Sequence, residues 1–411
     1  MLSEMLPETC DDTTRRCVGN VVRGWRSNHL DTGGAVAWCT AQVFSAVSGM
    51  SQLLAAFIAS SVLDEFGGQR SEGLGQRSEG LGLEQRPEGA AGAALGSRPA
   101  PLSAMAVYAQ KWDALMDTDL ELGGERTTLK GALEPRLLQP QLDKQRALRA
   151  ALTPQSEIDA LSTLSAYPPV YSCILFGPPG TAKTTICSAM AAYLGWNFVT
   201  IDTACFLADG LEHIAARMSY IFDRLRALER TIILFDEIEE FCLDRENPAL
   251  GMESRLLTTA ILTQLNALRA RQSNIFIVAT NRLRSFDAAV TRPGRFDMLL
   301  FVGTPNLEAR VRRLAGKLEA TSLEPPMHAE AVSEFRQLLE SRWGTLRFLT
   351  FAENESLVNS VLDLYLRQDG RGAGGHVSDV LGARADSILR TATIQGGVRD
   401  EYVASEELSR L

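Results

Sequence analysis

Residues 171–184 read YSCILFGPPGTAKT. The first six, Tyr171 to Phe176, are an uncharged run bounded by turn residues, the signature of a strand buried on both faces. Gly177-Pro178-Pro179-Gly180 then turns the chain into Thr181, Ala182, Lys183, Thr184 and Thr185, which open a helical pattern. Strand, Gly/Pro turn and helix start supply inward-facing N–H groups, a positive helix terminus, a cation and a hydroxyl, which is what a polyphosphate with its Mg²⁺ requires. In this reading Lys183 reaches the β- and γ-phosphates, Thr184 holds the metal, and Thr185 covers the α-phosphate side. Ala182 stands where the general pattern G-x-x-x-x-G-K-[ST] has glycine. Its methyl is harmless if the backbone there is near helical and obstructive if a positive φ is needed; the expectation is the tolerant case.

Outward from this loop, buried-strand patterns recur at 197–202 (NFVTID), 231–235 (TIILF), 274–279 (NIFIVA) and 298–302 (MLLFV). Helical patterns over 184–194, 212–228 and 254–268 alternate with them. Strands alternating with helices of that length predict an α/β fold, a parallel sheet flanked by helices. The run Ile232-Ile233-Leu234-Phe235 ends in Asp236-Glu237, 53 residues after Lys183. A carboxylate pair at a strand end suits Mg²⁺ binding through its water shell (Asp236) and polarisation of an attacking water (Glu237). The strand at 274–279 likewise ends in Thr280-Asn281, and Arg292-Pro293-Gly294-Arg295-Phe296-Asp297 follows. After Pro305 the strands stop. Helical stretches at 308–318, 331–341, 356–367 and 377–391 predict a helical lid subdomain.

GPPGTAKT, IILFDE, ATNR and RPGRFD occur in an order and at intervals that resemble the AAA family of ATPases. The resemblance implies ATP and Mg²⁺ as ligands. It implies that Asn281 positions the attacking water with Glu237, and that Arg292 and Arg295 are arginine fingers reaching a neighbour's nucleotide. A planar guanidinium compensates charge on a transferring phosphoryl group, and supplying it in trans ties hydrolysis to assembly. The implied partners are the chain itself, in a homo-oligomeric ring that is hexameric by resemblance, and a protein substrate to be remodelled. A slow-cycling, nucleotide-controlled scaffold is the alternative. Where many relatives present an aromatic-hydrophobic-Gly trio to a central pore, this chain has Phe206-Leu207-Ala208-Asp209-Gly210, with Phe206 or Leu207 as candidates. His376-Val377-Ser378-Asp379-Val380 resembles the family's Ser-Gly-Ala-Asp-Ile lid-helix start, with Asp379 equally an ordinary helix-start charge.

The rest of the 411-residue chain sets the frame. Hydrophobic residues at 45% and charged residues at 22% exclude wholesale disorder. A net charge of -9 disfavours nucleic acid as the partner, and with it a DNA-directed machine. Seven scattered cysteines and four separated histidines form no ligand spacing, which points to a reducing intracellular compartment and no metal cluster. Residues 33–63 carry no charge, and Val36, Cys39, Val43, Val47, Met50, Leu54, Phe57 and Val62 fall on one helical stripe. A buried or partner-facing helix is the favoured reading, a membrane span the other. QRSEGLG occurs twice from Gln69, followed by a Gly/Ala/Pro-rich tail, the composition of a flexible linker. The expected organisation is a helical N-terminal region (1–66), linker (67–104), helical lead-in (105–166), α/β subdomain (167–305), then lid and C-terminal tail (306–411). The linker is expected to isolate the N-terminal region, so that removing residues 1–104 leaves a soluble module that still binds ATP.

Overall fold

The computed structural model describes residues 8–9, 23–24, 37–69, 112–122, 124–151, 170–242, 252–283, 286, 295–321, 323, 325–367 and 376–408. The chain divides into two compact units, Met1–Val62 and Leu63–Leu411.

In the first unit Glu8–Thr9 pairs antiparallel with Arg23–Gly24, and helix α1, Ala37–Glu65, runs across the division. Phe44, Met50, Leu53, Leu54 and Phe57 are exposed, so this part of α1 is not buried within the chain, and of the sequence readings the partner-facing helix and the membrane span remain.

The second unit starts earlier than the linker boundary expected from composition. Gly68 donates to the Leu63 carbonyl, and Gln69 exchanges backbone hydrogen bonds with Phe198 at 2.7 and 2.9 Å. Residues 63–69 therefore close one edge of the sheet described below. Composition gave no sign of this, because the backbone bonds of Gln69 and the contacts of Glu65 with Tyr220 and Arg224 span long stretches of chain.

The lead-in is not wholly helical. Asp119–Leu122 (β1) and Glu125–Thr128 (β2) form an antiparallel hairpin. Its residues, DLEL and ERTT, are too polar to register as strands. Thr128 caps the following helix α2, Leu129–Leu133, by accepting from the Gly131 N–H. A π-helical turn over Glu134–Leu138 leads into α3, Gln139–Ala151.

Five strands make the main sheet: β3 Ser172–Phe176, β4 Asn197–Ile201, β5 Thr231–Asp236, β6 Ile275–Thr280 and β7 Met298–Phe301. Their spatial order is β4-β5-β6-β3-β7 and every pairing is parallel. Parallel neighbours need crossovers, supplied by α4 Lys183–Leu194, α5 Thr203–Leu207, α6 Ile214–Arg226 and α7 Met252–Arg271. Every residue of β3 and β6 is buried, which explains why these strands read as continuous rather than alternating apolar runs. Each fully buried Leu or Ile there contributes about 1.5–3 kcal/mol of transfer free energy.

The lid holds α8 Leu307–Glu319, α9 Pro325–Ser341, α10 Trp343–Leu346, α11 Phe351–Arg367 and α12 His376–Arg390, around a core of its own that includes Leu314, Phe335, Leu357 and Leu381. Asn306 caps α8 by accepting from Ala309 N–H, and its amide donates to Asp119. The last helix, α13 Gly397–Leu408, does not belong to the lid core. Its Tyr402 ring lies edge-on to Phe301 of β7 and to Phe348, each at 5.4 Å between centroids, so the tail packs where sheet and lid meet. At the same junction Arg310 is fully buried and donates to the carbonyls of Pro305, Arg347 and Leu349. Burial pushes its guanidinium down to about 10, with Tyr402 and Glu353 pulling the other way.

Candidate active site

Register decides which side chains meet. Phe176 pairs with Thr280 and Asp236 with Ala279, so β3, β5 and β6 end at one level. The crevice beyond the carboxyl ends of adjacent parallel strands is where open α/β sheets place their ligands. Gly177 leaves β3 there, and a Cβ on it would stand 2.2 Å from the Val302 carbonyl oxygen, so only glycine fits.

Lys183 lies inside the loop. Its ammonium donates to the carbonyls of Gly177 and Pro178, both at 2.9 Å, and to Asn281 Oδ1 at 2.8 Å. Burial pushes it down to about 8 against the pull of Asp236 and Glu239. Thr181 is buried, its hydroxyl donating to the Pro178 carbonyl. Thr184 donates to Asp236 Oδ2 at 2.9 Å, which joins the two proposed metal ligands. Thr185 is exposed on the first turn of α4.

Two residues here have left-handed backbones without being glycine. Ala182 has φ 60° and ψ 28°, so the near-helical expectation fails. The loop demands the glycine conformation and the alanine bears a strain of about 1–2 kcal/mol. Glu237 has φ 54°. Its backbone carbonyl accepts from the Thr203 hydroxyl, and the residue is exposed just past the carboxyl end of β5.

Glu239, three residues past Asp236, lies outside the motifs singled out in the sequence. In the fold its Oε1 accepts from the Thr280 hydroxyl at 2.8 Å and from the Asn281 N–H at 3.0 Å. Glu239 thus fixes the end of β6 and aims Asn281 at Lys183. The available signal was an acid placed just past a strand end opposite a Thr-Asn pair.

The loop's outer side meets the lid. A Cβ on Gly180, at φ 78°, would stand 3.0 Å from Thr350 Cγ2. Thr350 precedes α11 and its N–H donates to Glu353, the Thr-x-x-Glu pattern of a capping box. The lid-helix start beside the phosphate loop is therefore Thr350-Phe351-Ala352-Glu353, while His376 opens a further lid helix, α12, as the resemblance implied. Asp379 is an exposed residue in the first turn of α12. Phe206 is also reassigned: it is fully buried, 5.1 Å from the Phe241 ring, and only its neighbour Leu207 reaches the surface.

The structure does not bring Arg295 to this crevice. Asp297 accepts from the N–H groups of Tyr171 and Ser172 at the start of β3, from the Ser172 hydroxyl and from Arg269. That is the amino end of the sheet, one strand length or roughly 16 Å from the phosphate loop. Burial alone would raise the Asp297 carboxyl; the donors from Arg269, Tyr171 and Ser172 hold it below its ordinary value. Arg292 lies outside the described residues.

Residues 173–304 match the family model described as ATPase family associated with various cellular activities (AAA). The chain carries a single AAA ATPase module. It is 34% identical over 172 residues to ATPase family gene 2 protein of Saccharomyces cerevisiae, which spans 41% of this chain and 22% of that one. It is 31% identical over 180 residues to nuclear valosin-containing protein-like of Mus musculus, across 44% and 21% of the two chains. A crystal structure of the FIGL-1 AAA domain superposes with a TM-score of 0.44 at 19% identity, covering 74% of this chain and 96% of that one. The chain spans a quarter or less of the length of the curated relatives it matches. The AAA module is an ATP-binding, P-loop ATPase module.

Proposed function

We propose that this chain is a subunit of an oligomeric AAA ring, hexameric by resemblance, that hydrolyses ATP with Mg²⁺ and couples lid motion to remodelling of a protein or protein complex. One juxtaposition carries the reading. Lys183, Thr184, Asp236 and Asn281 converge at the carboxyl ends of three adjacent strands. Arg295 follows the turn at the opposite ends of these strands, which supports an arginine supplied by a neighbour.

The donor set fits the metal: a hydroxyl and a carboxylate within 2.9 Å offer the hard oxygens Mg²⁺ prefers. When bound, Mg²⁺ neutralises phosphate charge. Lys183 exchanges its loop carbonyls for phosphate oxygens, and Glu237 takes the proton of the attacking water, which Asn281 orients. Base and sugar lie in the cavity of about 290 Å³ lined by Ala114, Leu115, Met116, Arg313 and Phe351, next to Thr350. Arg292 and Arg295 serve the neighbouring subunit. With Phe206 buried, Leu207 and Leu211 are the side chains that can grip a polypeptide. Steady-state ATP turnover with and without Mg²⁺, in wild type and Glu237→Gln, tests the reading. Turnover that needs the metal and is lost in Glu237→Gln, with ATP still bound, supports it; equal turnover in both proteins refutes it.

The strained Ala182 favours a second reading, a scaffold that binds ATP and cycles slowly. The same assay separates the two, since a scaffold turns over little even as wild type.

A further inference from the structure

We propose that α1 is a single transmembrane span, with a lipid bilayer as the surface that covers its apolar side chains. The proposal is independent of the ATPase reading. Gln42–Glu65 is 24 residues long. Its part within the first unit, Gln42–Val62, is about 32 Å long at 1.5 Å per residue, enough to cross a hydrocarbon core of about 30 Å. No charged residue occurs from Gly33 to Leu63. Charge resumes beyond both ends, with Asp31 on one side and Asp64 and Glu65 on the other.

Exposure argues for lipid over water. Phe57 is 73% exposed, Leu53 69% and Phe44 67%, and Met50 and Leu54 are little different. Only 11% of the most apolar window is buried, so this is not a core helix. At about 100° per residue, Phe44, Val47, Met50, Leu53, Leu54 and Phe57 cover one half of the surface. The other half carries Ser45, Ser48, Gly49, Gln52, Ala56 and Ala59. A helix lying in the membrane surface needs Lys or Arg on its polar half, and this half has none. A soluble coiled coil needs charges flanking its apolar seam, and those are missing too. A signal peptide's apolar region is about 7–15 residues, well short of this one. The serines pose no obstacle, because a hydroxyl within a helix can bond back to the carbonyl four residues earlier.

The test is synthesis of the full chain with phosphatidylcholine vesicles, followed by alkaline carbonate washing and flotation. The wild type should float with the vesicles and require detergent for release. Leu53→Arg with Leu54→Arg puts two guanidinium groups near mid-span and should lower the floated fraction at least about tenfold. Leu53→Met with Leu54→Met should float like wild type. Binding of a fluorescent ATP analogue shows that each variant retains its folded module. Wild-type protein released by carbonate, or soluble without lipid or detergent, would overturn the proposal. So would lipid-independent self-association that the arginines abolish, which would identify a second copy as the occupant.

Discussion

The two ends of the five-stranded sheet are built differently. At the carboxyl end, Lys183, Asn281, Thr184 and Asp236 are joined pairwise, and the lysine's donors are spent on its own loop and on Asn281. At the amino end a single carboxylate, Asp297, gathers two backbone N–H groups, a hydroxyl and a guanidinium, and thereby fixes the turn that carries Arg295. The first end is an arrangement that a ligand must rearrange; the second is an anchor. A site whose cation already has partners binds a phosphate by exchange, whereas the backbone that carries Arg295 is already fixed. The ring proposed above rests on this division of labour within one sheet, and each end can be broken separately.

The largest effect is expected at the carboxyl end. Lys183→Ala should weaken ATP binding at least about a hundredfold, the scale of losing charge-assisted bonds to phosphate, as read by titration with a fluorescent analogue. The same lysine sets a pH dependence. With its pKa lowered to about 8, the free site is increasingly neutral above that pH, while the bound phosphate needs the cation. ATP affinity should therefore fall by about tenfold per unit as pH rises from 8, with proton uptake on binding. The linked stability has the opposite sign. Between about 8 and the ordinary 10.5 the unfolded chain binds the extra proton, so the ligand-free fold gains stability with rising pH.

The amino end should fail through stability rather than binding. Asp297→Asn should cost about 2–3 kcal/mol by removing the ion pair with Arg269 and weakening three further bonds, visible as a lower melting temperature. Because the native carboxyl is held below its ordinary value, its contribution is present above about pH 4 and is lost as pH falls through the native pKa. The wild type should consequently lose more stability on acidification than Asp297→Asn does.

Glu239→Gln tests how far the carboxyl end depends on positioning. It should lower turnover by about tenfold while changing ATP affinity less than about threefold, since Asn281 loses its aim but the phosphate loop does not. The smallest effect belongs to Ala182→Gly. Relief of the left-handed alanine should strengthen nucleotide binding or raise stability by about 1 kcal/mol.

The contrast between the ends also explains what was legible in the sequence. The strands of the main sheet and the order of Lys183, Asp236 and Asn281 were readable, because fully buried strands are unbroken apolar runs and their ends carry local motifs. The hairpin over 119–128 was not, its residues being as polar as a loop. Thr350 against Gly180, Tyr171 and Ser172 on Asp297, and Phe206 under Phe241 are contacts across long stretches of chain with no local signature. Ala182 was misjudged because composition does not reveal φ. Residues 63–69 join the sheet edge through the backbone bonds of Gln69 and through long-range side-chain contacts, Glu65 accepting from Tyr220 and Arg224 and Gln69 from Ser188, so a truncation that keeps them should be the more stable module.

The most direct test is to mix Lys183→Ala protein with Arg292→Ala, Arg295→Ala protein and measure ATP turnover of the co-assembled material. Each is expected to be inactive alone. Together they create interfaces that pair an intact phosphate loop with an intact arginine end, so the account predicts partial recovery of turnover in the mixture. Full turnover of the Arg292→Ala, Arg295→Ala protein by itself would contradict it, because no arginine from a neighbour would then be needed.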